Sequence, residues 1–214
     1  MSAHRKLQSW AIILLGTAIP GICGASDEPA LVTCGTVLKL KHTTNAVQLH
    51  SHEIAYGSGS GQQSVTGNPS QDDAGSYWVV QAAQGHCPQG TPIKKGTGVK
   101  LQHGSTRKWL HSHLHTSPLS NNQEVSAFGG EGRSDTGDVW VVDWDKGDVA
   151  WSQDQRVQLM HKDTSQYLAS GPRQFGRPIS GQFEIFAKGK RAADTLWTAT
   201  EGVFFPPRSS GTEL

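Results

Sequence analysis

Leu101-Gln-His-Gly-Ser-Thr-Arg-Lys-Trp-Leu-His-Ser-His113 decides the fold, because the chain contains this pattern three times. An earlier copy opens Leu40-Lys-His42 and closes Leu49-His-Ser-His52. A later, worn copy opens Leu159-Met-His161 and closes Leu168-Ala-Ser170. Each has Leu-x-His followed at a fixed distance by a second leucine, and each is followed by an aromatic end-marker, at Tyr77-Trp78, Val139-Trp140 and Leu196-Trp197. The leading histidines His42, His103 and His161 and the end tryptophans keep one period of about 60 residues, the signature of a repeat architecture.

Several short strands in one copy cannot bury their apolar face alone, so the three copies must close on one another. The expected fold is all-β, a β-trefoil, since threefold closure into a barrel leaves few open sheet edges. A three-bladed propeller is not expected, because propellers typically have at least about four blades. Apolar residues at a structural period are packing, which places Leu40, Leu49, Leu101, Leu110, Leu159, Leu168, Trp78, Trp140 and Trp197 in the core. No apolar 3.6-residue period runs for a dozen residues, so almost no helix is expected. Val32–Lys41 and Tyr77–Val80 read as strands, Gly57–Gly61 and Asn68–Asp73 as turns, and Gly85–Gly98 as a linker.

The bulk numbers agree. The 214 residues include seven Trp and 25 Gly, which favours short strands and many turns. A formal net charge of +1 argues against a nucleic-acid surface, which needs clustered Lys and Arg. Residues 1–25 read as a secretory signal peptide: Arg5 and Lys6 form the basic start, Trp10–Ile19 the apolar run, and Cys23-Gly24-Ala25 the small residues before cleavage. The run is half the roughly 20 residues a membrane span needs, so no span is expected. Cleavage removes Cys23. Cys34 and Cys87 then remain, and in an oxidising compartment they are expected to pair.

Known catalytic motifs are absent or broken. His52-Glu53 begins a His-Glu-x-x-His, but Tyr56 stands in the place of the second histidine. Asp143-x-Asp145 starts like a calcium loop, but its glycine comes one place early. No nucleophile elbow, phosphate loop or dinucleotide fingerprint is present, so no catalytic residues and no cofactor are assigned. His111, His113 and His115 alternate as the side chains on one face of a strand do, and three histidines can hold zinc. The third repeat has no equivalent and no carboxylate or cysteine follows at a ligand spacing, so no metal is assigned either. The leading histidines are expected to bond turns. Trp109, Trp144 and Trp151, outside the end-markers, are the candidate sugar-stacking platforms. Trp109, His111, His113 and His115 together form the candidate ligand or partner surface.

Leu31-Val-Thr-Cys-Gly-Thr-Val-Leu-Lys-Leu40, Leu49-His-Ser-His52, Tyr56-Gly-Ser-Gly-Ser-Gly-Gln-Gln-Ser-Val-Thr-Gly67 and Ser117-Pro-Leu-Ser-Asn-Asn-Gln-Glu-Val-Ser-Ala-Phe128 closely resemble the stromal cell-derived factor-two family, built of three MIR repeats. The resemblance places the repeats at 29–83, 91–146 and 147–203, with a flexible tail at 206–214. It implies a non-enzymatic adaptor in the endoplasmic reticulum lumen, in a complex with a J-domain co-chaperone and an Hsp70-class chaperone. Such a complex serves folding quality control and the unfolded-protein response, with misfolded or O-mannosylated clients. A lectin-like module that reads mannose on clients is the alternative. The end Gly211-Thr212-Glu213-Leu214 carries the Glu-Leu of a lumenal retrieval signal. Thr212 replaces the usual Asp and Gly211 a basic residue, which leaves room for a secreted fraction.

Overall fold

A computed structural model describes residues 28–147 and 149–208. The expected signal peptide and the Gly211–Leu214 end lie outside these residues. Twelve strands run in three sets of four: β1 (Val37–His42), β2 (Gln48–Ala55), β3 (Gln63–Asn68) and β4 (Tyr77–Ala82); β5 (Gly98–His103), β6 (Trp109–Thr116), β7 (Gln123–Phe128) and β8 (Trp140–Asp143); β9 (Arg156–His161), β10 (Tyr167–Gln174), β11 (Phe183–Lys188) and β12 (Trp197–Val203). A single 3-10 turn precedes the last strand of each set, at Ala74–Ser76, Thr136–Asp138 and Ala193–Thr195. These turns are the only helical elements among the described residues.

The pairings make this a β-trefoil. Strands β1, β4, β5, β8, β9 and β12 pair in that order and close through β12–β1, giving a six-stranded barrel. The hairpins β2–β3, β6–β7 and β10–β11 cap one end, where β3, β7 and β11 pair with one another in a triangle. Each capping hairpin has the same register break, at Ser51/Ala55, Ser112/Thr116 and Ser170/Gln174.

The other end closes in a second triangle. Leu31 bridges Ser152, Thr33 bridges Pro92 and Lys94 bridges Ala150, so Val32, Ile93 and Trp151 form an equivalent set of plugs, all buried. After each plug the chain turns through a left-handed residue, Gly35 (φ 89°), Gly96 (φ 80°) or Asp154 (φ 61°). Their amides bond Val80, Val142 and Ala199 respectively, and the first strand of each set follows. This corrects the expected strand from Val32: β1 starts only at Val37, because Cys34-Gly35 forms the turn. Trp151 also moves, from candidate platform to plug.

All six periodic leucines and all three end tryptophans are completely buried. Each indole N–H donates to the carbonyl of the second leucine of its own repeat: Trp78 to Leu49 at 2.8 Å, Trp140 to Leu110 at 2.9 Å and Trp197 to Leu168 at 3.0 Å. These carbonyls flank the register break, so the indole supplies a donor where the ladder is about to lose one. Cys34 and Cys87 are bonded, with Cα atoms 6.1 Å apart.

Candidate functional site

The leading histidines are structural staples. One ring nitrogen of each bonds its own turn: Nδ1 of His42 to Asn45, of His103 to Thr106 and of His161 to Thr164, at 2.6–2.9 Å. The other reaches a backbone carbonyl of the 3-10 turn in a neighbouring repeat: His42 Nε2 to Asp194, His103 Nε2 to Gly75 and His161 Nε2 to Gly137, at 2.8–3.0 Å. Each ring also tilts against a buried end tryptophan. Burial holds His103 and His161 below the usual histidine range.

The second histidines, in β2 and β6, do something different. In the first repeat, His50 Nδ1 lies 2.6 Å from Asp73 Oδ2, His50 Nε2 lies 2.9 Å from His52 Nδ1, and His52 Nε2 lies 2.8 Å from Ser64 Oγ. Burial, with His50 and His103 nearby, pushes His52 down to about 4. Burial pushes the Asp73 carboxyl up, but a hydrogen bond from Ser76 and the neighbouring His50 outweigh it and leave it lowered. In the second repeat His111 Nδ1 donates to Asp138 Oδ1 at 2.9 Å, and His113 Nε2 donates to Glu124 Oε1 at 2.9 Å. Both carboxylates are fully buried. Burial raises the Glu124 carboxyl, but hydrogen bonds from His113 and Ser60 outweigh it and leave it lowered. In the third repeat Ala169 and Gly171 replace the histidines.

Asp138 belongs to a capping box. Its Oδ2 accepts from the Asp135 amide at 2.9 Å and from Ser134 Oγ at 2.6 Å, while Asp135 Oδ1 accepts from the Gly137 amide at 2.9 Å. The sequence gave these acids the look of solvated turn residues. Their signal was the repeat alignment, which stacks Asp73 on Asp135 and Ser76 on Asp138.

Outside this polar floor the surface opens. Leu114, at the β6 end, is 86% exposed. On one side lies a groove of about 490 Å³ lined by His111, His113, Asp135, His161, Asp163 and Thr164. On the other, Leu114 and His115 border a hollow of about 280 Å³ that reaches Asn121, Gln166 and Lys188. A separate cleft of about 600 Å³ lies beside the disulfide, between Ala83, His86, Ile93, Val139 and Lys162.

The four candidate surface residues are thus divided. Trp109 is buried, 8% exposed, with its N–H on the Gly130 carbonyl at 3.1 Å. His111 is buried, His113 half-buried and His115 exposed. Trp144 is buried as well, so none of the three tryptophans offers an open platform for a sugar ring. Among the described residues no helix is long and apolar enough to cross a membrane.

Comparison with known proteins follows the same outline. The MIR domain matches residues 31–197. The human stromal cell-derived factor 2-like protein 1 is 45% identical over 210 residues, 96% of this chain and 94% of its own length. The crystal structure of the SDF2-like protein from Arabidopsis thaliana superposes with a TM-score of 0.82 at 48% identity, over 84% of this chain and 99% of that one. Part of the Saccharomyces cerevisiae protein O-mannosyltransferase Pmt1-Pmt2 complex, solved with its sugar donor, matches at 27% identity and a TM-score of 0.71. That match covers 88% of this chain and 30% of the mannosyltransferase chain.

Proposed function

Since the chain belongs to the MIR-domain family, among the stromal cell-derived factor 2-like proteins, we propose that it is a non-enzymatic adaptor of the endoplasmic reticulum lumen, bound to a J-domain co-chaperone that works with an Hsp70-class chaperone. The observation that carries the reading is Leu114. A leucine 86% exposed between two open grooves is an apolar anchor awaiting a partner. The buried histidine–carboxylate floor holds the backbone beneath it rigid, so little ordering cost falls on the encounter. The apolar start at Trp10–Ile19 and the Glu-Leu end support the lumenal location. The clients of such a complex are misfolded or O-mannosylated proteins.

The test is reconstitution. Purified protein and a lumenal J-domain co-chaperone should co-elute as a stoichiometric complex on size exclusion at roughly micromolar concentration. Leu114→Asp should weaken the complex by about tenfold or more without changing the thermal midpoint. No co-elution, with both proteins folded, would remove the reading.

A second reading has one specific support, the likeness to the O-mannosyltransferase region. It makes the module lectin-like for mannosylated clients. With Trp109, Trp144 and Trp151 buried, the sugar would have to lie in the His113–Asp163 groove, on polar contacts alone. Titration with an O-mannosyl peptide, with Asp163→Ala as the control variant, separates the two: a flat response removes the lectin.

A further inference from the structure

The first and second repeats use their histidine pairs differently, and the difference lies in which nitrogens remain free. In the first, His50 Nε2 and His52 Nδ1 touch at 2.9 Å and share one N–H, with His52 Nε2 resting on the Ser64 hydroxyl. In the second, Glu124 replaces that serine. A carboxylate only accepts, so His113 must carry its proton on Nε2, facing Glu124. Asp138 likewise accepts from every partner it has, so His111 must carry its proton on Nδ1. What remains is His111 Nε2 and His113 Nδ1, the two atoms equivalent to the bonded pair of the first repeat. In the neutral rings both are now lone pairs. Among the described residues no hydrogen bond joins them, although the rings hold nearly the same edge-on contact, with centroids 5.1 Å apart against 5.0 Å.

Two lone pairs on adjacent, rigidly held imidazoles repel unless a cation lies between them. The second repeat also supplies a third imidazole: His115 packs edge-on against His113 with centroids 4.8 Å apart, where the first repeat has Ile54 and the third Arg173. His115 is exposed and, among the described residues, held by no hydrogen bond. The strand leaves its ladder between Ser112 and Thr116, which frees this side chain to turn toward His113. A ligating histidine whose other nitrogen is fixed by a carboxylate is the arrangement that orients a ring for a metal. The groove beside it also carries Asp135 and Asp163, a negative approach for a cation.

We propose that the β6 face is a binding site for a divalent cation of the zinc type, with His111 Nε2, His113 Nδ1 and His115 as ligands. Three imidazoles at about 2.0–2.1 Å leave a fourth tetrahedral position open to water or to a partner's side chain. Nitrogen donors select zinc and its first-row neighbours over calcium or magnesium, which take oxygen. The neighbouring cluster of His111 Nδ1, Asp135 and Asp138 is a poorer host, because its atoms are already spent on the capping box. The site stands whether or not the adaptor reading does.

Calorimetric titration of the full chain, without a polyhistidine tag, with Zn²⁺ at neutral pH should show one site per chain. His115→Ala should weaken it by about tenfold or more, while the metal-free variant keeps the parent's thermal midpoint. His86→Ala, an exposed histidine beside the disulfide, should leave the affinity unchanged. Histidine side-chain nitrogen resonances should move on His111 Nε2 and His113 Nδ1. The proposal fails if no site is seen, if His115→Ala binds as the parent does, or if Asp135→Asn abolishes binding while His115→Ala does not.

Discussion

Three tryptophans, each completely buried, end their repeats with an indole N–H on a leucine carbonyl, and this one contact does two things. It fills the barrel and it satisfies a backbone acceptor beside the register break. Trp140→Phe keeps an aromatic ring but leaves the Leu110 carbonyl buried without its donor and opens a void. The expected cost is about 2–4 kcal/mol, read from the urea midpoint, with closely similar values for Trp78→Phe and Trp197→Phe. The histidines set the acid limit. His52, His103 and His161 are all depressed below the unfolded value of roughly 6.5, His52 to about 4, chiefly by burial. Below pH 6.5 the unfolded chain therefore binds protons that the folded chain refuses, so unfolding free energy falls as pH falls. Stability should be complete above pH 6.5 and decline from there toward pH 4, by up to about 1.4 kcal/mol per pH unit for each histidine, less for the partly exposed His52. Urea titrations from pH 7.5 to 4.5 measure the slope, and His52→Gln should make it shallower.

At the scale of elements, the 3-10 turns meet the capping hairpins through glycine. A Cβ on Gly137 would sit 2.4 Å from His111 Cε1 and 2.9 Å from the Ser112 carbonyl; one on Gly75 would sit 2.5 Å from His50 Cε1 and 2.9 Å from the Ser51 carbonyl. The third repeat has Asp194 at this place, and there Ala169 stands where the other repeats have histidine. Glycine is thus needed wherever a histidine faces the turn. Gly137→Ala should cost about 1–3 kcal/mol in thermal or urea unfolding. Asp194→Gly loses only the partly exposed pairing with Lys188 and should stay within about 1 kcal/mol. Equal effects would contradict the account. This pairing also marks how far the sequence could be read. Leucines, leading histidines and end tryptophans were legible because each repeats at one period with one role. Trp151 was on that period too, equivalent to Val32 and Ile93, but two aliphatic residues and an indole do not look like copies. Its burial follows from the bridges that bring the three lead-in segments together. Trp109 and Trp144 were read as open because their own copies vary. The carboxylates that pin His50, His111 and His113 were out of reach for another reason: they come from other elements, across the hairpin or from the following turn.

Over the whole molecule, both ends of the barrel are closed by triangles, one of hairpins and one of plugs, and each joins all three repeats. No repeat is a stable unit in this arrangement, and β12 pairs with β1, so the last strand completes the first sheet. The plug triangle is held by single bridges: the Val32 amide to the Trp151 carbonyl at 2.8 Å, the Ile93 amide to Val32 at 3.1 Å and the Trp151 amide to Ile93 at 2.8 Å. These are few bonds for three segments, and the disulfide reinforces them. Cys34 follows the first plug directly, and Cys87 lies in the linker that leads to the second, so the bond fixes two corners of the triangle in the unfolded chain as well as the folded one. For a separation of 53 residues, restriction of the unfolded chain gives about 4 kcal/mol. Cys87→Ser, or reduction of the parent, should lower the urea midpoint by that order while leaving the slope of the transition nearly unchanged and the unfolding a single step. A separate early transition would instead mean that the plug end opens alone, with the hairpin end still closed. An unchanged midpoint would mean that Val32, Ile93 and Trp151 hold the triangle by packing and backbone bonds without the covalent tie.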